Sequence, residues 1–347
     1  MHACSTRRLL RLVIAAAVAA PLGALAADKE SASTAKSDDA THLLRYKFKP
    51  GETLRWEVEQ RSQVRTTIQG TTQTAETVST STKVWRIDRA DADADGKAKF
   101  TYWVESVDMR QKFDGRQELH YNSDNDKEAP PGFGDVAKQV GVPLSTVTLD
   151  ALGKTISREE LAPQTTPAPE LITPPLPEEA VAVGGQWTTP ADIKVTLRTG
   201  EVKTIKARQH YTLESVDGDV ATIRLETQIL SPVRDNPEIE AQIVQSKANG
   251  QIRFSIDEGR ILSQQSDVDE RVNGFQGEAS SLHCITRFSE KLLPSGAAAT
   301  KAPVAGPKAG PVAGPQASAP KAPKASAPKA SAPTAGRRTT SKSVRRK

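Results

Sequence analysis

Apolar and polar side chains trade places at every second residue along much of this chain. Phe100, Tyr102 and Val104 alternate with Thr101, Trp103 and Glu105. Ile223, Leu225, Thr227 and Ile229 alternate with Arg224, Glu226 and Gln228, and Ile252, Phe254 and Ile256 alternate with Arg253 and Ser255. Neighbouring side chains of an extended strand point to opposite faces. A sustained period of two therefore builds antiparallel sheets with one apolar side and one wet side. Asp95-Gly96, Asp217-Gly218, Asn249-Gly250 and Glu258-Gly259 fall between such runs and read as hairpin turns, because glycine accepts positive φ. Threonines 66, 67, 71, 72, 74, 77, 80 and 82 predict a long hairpin with its tip near Gln69-Gly70. One short helix is expected, over Gly134 to Val140. The predicted class is all-β.

The same landmarks recur in two stretches. The first opens at Gly51-Glu52-Thr53-Leu54-Arg55-Trp56 and runs through Val84-Trp85-Arg86-Ile87, the turn at Asp95-Gly96 and the strand from Phe100. It closes with Val147 to Ser157. The second opens at Gly184-Gly185-Gln186-Trp187, passes Tyr211 to Val216, the turn at Asp217-Gly218 and the strand Val220 to Ile229, and closes with Ile252 to Ser263. This order reads as a degenerate internal duplication of an antiparallel β meander. Residues 264–273 and 282–292 are read as further strands. The expected division is a first β unit at 43–162, a proline-rich connector at 163–180 and a second β unit at 181–293. Proline fixes φ and cannot donate to a ladder, so the connector is expected to be extended.

The ends differ from the middle in composition. Arg7, Arg8 and Arg11 flank an apolar run to Ala20, and Ala24-Leu25-Ala26-Ala27 follows. A basic start, a short apolar run and an Ala-x-Ala site are what signal peptidase reads, so residues 1–27 predict an export signal and 28–42 a flexible leader. The apolar run is shorter than the ~20 residues a membrane span needs. The net charge of +5 divides into +3 over residues 1–27, −9 over 28–294 and +11 over 295–347. An acidic body thus precedes a basic tail. Residues 294–347 are rich in alanine, proline and lysine and are expected to stay disordered. The chain has two cysteines, Cys4 and Cys284; export with cleavage leaves Cys284 alone, so packing must stabilise the fold.

Tyr46-Lys47-Phe48-Lys49-Pro50-Gly51-Glu52-Thr53-Leu54-Arg55-Trp56, Thr82-Lys83-Val84-Trp85, Val183-Gly184-Gly185-Gln186-Trp187 and Phe254-Ser255-Ile256-Asp257-Glu258-Gly259-Arg260 resemble a family of exported β-rich proteins common in planctomycete genomes. The resemblance spans about residues 43 to 293 and excludes the tail. It implies a compartment and a fold, and no activity is assigned to that family.

Motifs with chemical promise each meet a plainer explanation. Asp91, Asp93, Asp95 and Gly96 imitate the start of a calcium loop, but its twelfth position, which needs a bidentate acid, holds Tyr102. Gly153-Lys154-Thr155 ends like a phosphate loop without the first glycine, Thr148 standing there, and without a following helix. His42, His120, His210 and His283 are scattered and lack metal spacing. His283 and Cys284 should face opposite ways on one strand, with Cys284 in register with Leu282, Thr286 and Phe288 and buried. Asn122, Asp124, Asp126, Lys127 and Glu128 read as a wet loop. Trp56, Trp85, Trp103 and Trp187 read as packing groups rather than a ligand groove. No catalytic, cofactor-binding or metal residue is assigned, and no cofactor is expected. The functional expectation is a non-enzymatic binding or structural protein of the periplasm, cell surface or medium. Its tail would contact an anionic envelope polymer or lipid headgroups, and no nucleic acid is expected as partner. The alternatives are a carrier of an apolar ligand in a curved sheet and a hydrolase without a recognisable motif.

Overall fold

The computed structural model describes residues 40–91, 96–163, 172–233, 236–247 and 249–294. Expectations about residues 1–39, Asp93 and Asp95, 164–171 and the tail from 295 lie outside the described residues. The strands are β1 (Thr41–His42), β2 (Thr53–Ile68), β3 (Thr71–Ala90), β4 (Ala98–Phe113), β5 (Leu119–Asn122), β6 (Ser145–Leu149), β7 (Thr155–Glu160), β8 (Val181–Ala182) and β9 (Gln186–Pro190). They continue with β10 (Ile193–Thr196), β11 (Val202–Ile205), β12 (Ala207–Asp217), β13 (Val220–Ile229), β14 (Asn249–Ser255), β15 (Arg260–Asn273) and β16 (Ser280–Leu292). Two short α-helices, α1 (Gly134–Gln139) and α2 (Pro237–Ile243), and a 3-10 turn at Val244–Ser246 complete the set among the described residues. The fold is all-β, and every strand pairing is antiparallel.

One sheet of 12 strands carries the architecture, in the order β7-β6-β4-β3-β2-β16-β15-β14-β13-β12-β9, with β5 also paired to β4. The runs expected as two β units meet where β2 pairs with β16 along all 13 residues of β16. They therefore share one continuous ladder.

The sheet must curl. β6 and β15 stand five strands apart, about 24 Å on a flat sheet at ~4.8 Å per strand. Yet consecutive residues join their ends: Tyr46 N donates to Ala151 O in the turn after β6 (2.8 Å), and Lys47 N donates to Gly259 O in the turn before β15 (2.9 Å). Residues 44–48 thus run across a concave face and gather two clusters. Leu44 and Tyr46 pack with Tyr211, Leu213, Ile223 and Phe254; Phe48 touches a second cluster of Trp56, Trp85, Phe100 and Leu149. The far end of the proline-rich connector lines the same space. Thr173 and Leu176 are buried, Tyr46 Oη donates to Pro174 O (2.9 Å), and Trp187 Nε1 donates to Pro175 O (2.9 Å).

Among the described residues, the turn glycines follow the expected positions with one exception. Gly218 (φ +60°) and Gly259 (φ +59°) close hairpins, and Gln69 and Gly70 form the long hairpin's tip in left-handed conformations. Asn249-Gly250, expected as a turn, lies inside β14. A Cβ on Gly250 would stand 2.3 Å from Gln265 O, so this glycine serves close strand approach rather than reversal. The connection from β13 to β14 is made instead by α2, which sequence reading did not anticipate. Asn236 caps it by accepting from Ile239 N (3.2 Å), and Pro237 opens it. Its Ile239 and Ile243 bury against Val195 and Ile205 of the separate β10–β11 hairpin. α1 falls where the short helix was predicted, ending one residue sooner.

Candidate functional site

Three polar side chains occupy positions that the alternation reserves for apolar ones. Lys83 is in phase with Trp85 and Ile87 on β3, Glu290 with Phe288 and Leu292 on β16, and Gln264 with Ser266 and Val268 on β15. A register shift between Thr82 and Lys83 adjusts β3 against β4 at this point. Gln264 and Glu290 face each other across the β15–β16 ladder, and the Lys83 side chain reaches them from β3 beside Trp56 and Trp85. The Lys83 ammonium pairs with Glu290 Oε1 and stands 4.7 Å from the Trp56 ring centroid and 4.9 Å from that of Trp85. Gln264 Nε2 donates to the other carboxylate oxygen at 2.6 Å. Glu290 is only 4 % exposed and Gln264 9 %. Gln264 Oε1 is buried without a hydrogen-bond partner, as is Trp85 Nε1.

A cavity of about 10 Å³ touches Lys83, Gln264, Glu290, Trp56, Trp85 and Thr173. That is room for about one water molecule. A second ion pair borders it, between Arg260 and Glu52 (3.1 Å), with Arg260 buried at the start of β15. On β4, buried Glu105 takes the Arg55 guanidinium at 3.0 Å. Burial drives the Tyr46 phenol far above its ordinary range, and Glu290 adds to the rise. Tyr102, half-buried against the second cluster, is pushed up to about 12 by desolvation. Chemically the site is an ammonium, a carboxylate and a carboxamide held together in a largely dry aromatic setting. There each charge is stabilised mainly by its partner.

The residues singled out in the sequence are dispersed. His42 is on β1; His120 meets Asp108 (2.9 Å) on the β4–β5 pair; His210 meets Gln186 (3.3 Å); and His283 meets Asp269 (2.7 Å). Among the described residues no cluster of three or more His, Cys, Asp or Glu side chains is arranged to hold a metal ion. Cys284 is 1 % exposed in register with Thr286 and Phe288, its thiol raised by burial, while His283 lies half-exposed on the opposite face. In Gly153-Lys154-Thr155 the backbone turns around Asp150, whose Oδ1 accepts from Leu152 N (2.9 Å) and Lys154 N (2.8 Å). Asn122 and Asp126 spend their side-chain oxygens on their own loop, accepting from Asp124 N (2.9 Å) and Asn122 N (2.7 Å). Trp56, Trp85 and Trp103 are buried, and Trp187 stacks on Tyr211. Lys83, Gln264 and Glu290 were missed. The signal available was their polarity at apolar-phase positions.

These features define an all-β protein with a curled antiparallel sheet whose concave face holds its own chain and one buried polar trio. No protein-family model matches the chain, and no curated protein does. A solved structure described as "Lipid-protein interactions in lipovitellin" is similar at 12 % identity, covering 74 % of this chain and 27 % of that one, with a TM-score of 0.39. This chain thus spans about a quarter of that protein's length.

Proposed function

We propose that this protein is exported and acts as a non-catalytic binding or structural component of the cell envelope or its surroundings, tethered by its basic tail to an anionic envelope polymer or lipid surface. The observation that carries this reading is the charge partition: −9 over residues 28–294 against +11, without a single acid, over 295–347. An acidic body is repelled by an anionic surface, while eleven tail cations are attracted to it within a Debye length. The basic, apolar and small-residue order of residues 1–27 supports export. The resemblance to exported β-rich proteins supports the same compartment.

The test is retention of the full chain and of a chain ending at Pro294 on anionic vesicles and on an anionic polysaccharide matrix. The full chain is expected to bind at low salt and elute as salt rises, and the shortened chain to flow through. Equal behaviour of the two would sink the reading. The carrier alternative calls for an apolar cavity of several hundred Å³. Residues 44–48 and 172–176 would have to leave the concave face to open one. Lipid co-purifying in stoichiometric amount with the full chain would favour it.

A further inference from the structure

We propose that Lys83 and Gln264 become joined by an intramolecular isopeptide bond, with Glu290 as the proton carrier and with release of one ammonia. The reacting groups are already on one carboxylate. Lys83 pairs with Glu290 Oε1, and the Gln264 carboxamide bonds Oε2 at 2.6 Å. They come from β3 and β15, with β2 and β16 between them in the sheet; Gln264 faces Glu290 across the β15–β16 ladder, and the Lys83 side chain reaches the same carboxylate from β3. Glu290 and Gln264 are buried, and the Lys83 side chain is 18 % exposed. Water therefore competes poorly as a nucleophile. The adjoining cavity of about 10 Å³ has the size of the departing ammonia.

The chemistry balances without a co-reactant. In the first step one proton passes from the Lys83 ammonium to the Glu290 oxygen it already touches, giving the attacking amine and a carboxylic acid. A half-turn of the Gln264 carboxamide then sets its oxygen against the Glu290 O–H. This partners the atom that otherwise has none and polarises the carbonyl. The Lys83 Nζ lone pair adds to Gln264 Cδ, the new C–N bond forms, and the bond from Cδ to the original nitrogen breaks. Of the three ammonium hydrogens, one stays on the new amide, one departs with ammonia, and one ends on Glu290. Nothing is oxidised or reduced. The indole faces of Trp56 and Trp85 favour the ammonium and so slow the reaction, but one event per molecule suffices.

Mass spectrometry of the purified full chain, unfolded and digested with trypsin, tests this. The expected product is the peptide 66–86, uncut at Lys83, linked to the peptide 261–271, the pair lighter by one ammonia. The linked peptides are the decisive readout, because a succinimide at Asn249-Gly250 also loses ammonia. A free peptide ending at Lys83 in stoichiometric yield would overturn the proposal. So would a Lys83–Glu290 link lighter by one water. Lys83→Arg keeps a cation over the indoles but cannot form this bond. It is expected to fold, by circular dichroism, and to show both peptides unlinked. Glu290→Gln is expected to stay unlinked wherever it folds, and a link formed at normal yield in that variant would remove the proton carrier from the scheme.

Discussion

The two clusters on the concave face solve the same packing problem with different chemistry. Under β12–β14, Tyr211, Leu213, Ile223, Leu225 and Phe254 enclose Leu44 and Tyr46 with aliphatic and aromatic side chains that carry no charge. Under β2–β4, Trp56, Trp85 and Phe100 form an equally buried set, but the adjoining positions hold Lys83, Gln264 and Glu290. An apolar core loses stability in proportion to what is removed. A buried charge pair is different, since each member is tolerable only while the other is present. The contrast teaches that burial alone does not define this interior, and it fixes the sign of what paired substitutions should do.

The largest effects are expected where that sign is tested. In chains not yet linked between Lys83 and Gln264, Glu290→Ala should cost about 3–5 kcal/mol, because it leaves the largely buried Lys83 ammonium without its partner. Adding Lys83→Met to it should restore part of the loss. Leu213→Ala should cost about 2–5 kcal/mol, and adding Ile223→Ala, opposite it on β13, should deepen the loss. Urea unfolding of both double-mutant cycles reads the comparison directly. A Glu290→Ala, Lys83→Met double variant less stable than Glu290→Ala alone would erase the distinction.

The next effect concerns how the shared segment is held against both clusters. Gly259 and Gly218 have nearly equal φ, +59° and +60°. A Cβ on Gly218 meets nothing within 4 Å, whereas one on Gly259 would lie 2.5 Å from Lys47 Cγ and 2.6 Å from Arg45 O. Gly218→Ala should therefore cost about 1–2 kcal/mol from left-handed strain alone. Gly259→Ala should cost at least twice as much, because residues 45–47 must shift as well. Equal midpoints in urea would show that this segment adjusts freely.

Alkaline titration examines both clusters at once. Burial raises Tyr102 to about 12 and lifts Tyr46 and Tyr211 higher still. A phenol whose pKa rises on folding contributes stability that is complete below its unfolded value near 10. That stability is lost as pH climbs through the folded value. Stability should thus be flat to about pH 10 and fall steeply between about pH 10 and 12. Tyrosinate absorbance should appear together with loss of the circular dichroism signal. Ionisation of these phenols without unfolding would mean that the rings are open to water.

The alternation made the sheet legible: with one face apolar, Ile223, Leu225, Ile252 and Phe254 could only line a common interior. Turn glycines 218 and 259 located two hairpins for the same reason. Gly250 did not, since close strand approach and reversal both call for glycine and look alike in sequence. α2 is only seven residues long, too short to display a period of 3.6, although its Asn236-Pro237 cap was readable. The site was hidden for a different reason. Lys83 stands 181 residues before Gln264, and the pairing of β2 with β16 and the curl of the sheet bring it to Glu290, which faces Gln264 across the β15–β16 ladder. No local spacing encodes that meeting.

The smallest effect expected lies on the wet face, where charge should matter least. Asp108 meets His120 and Asn122 at 2.9 Å, with its side chain 38 % exposed. Partial burial pushes its carboxyl up, but the hydrogen bonds from Asn122 and His120 outweigh that and hold it below the usual range. A lowered folded pKa gives stability that is present above the unfolded value near 4 and lost as pH falls through the folded one. Asp108→Ala should therefore cost about 0.2–1 kcal/mol at neutral pH. The difference from wild type should shrink as pH drops below about 4 and should also weaken with added salt. Glu290→Ala, compared at neutral pH, should lose less of its penalty in the same salt, because Glu290 is buried and the Lys83 side chain is only 18 % exposed. A salt-insensitive penalty at Asp108 would move that pair from the solvated class to the buried one.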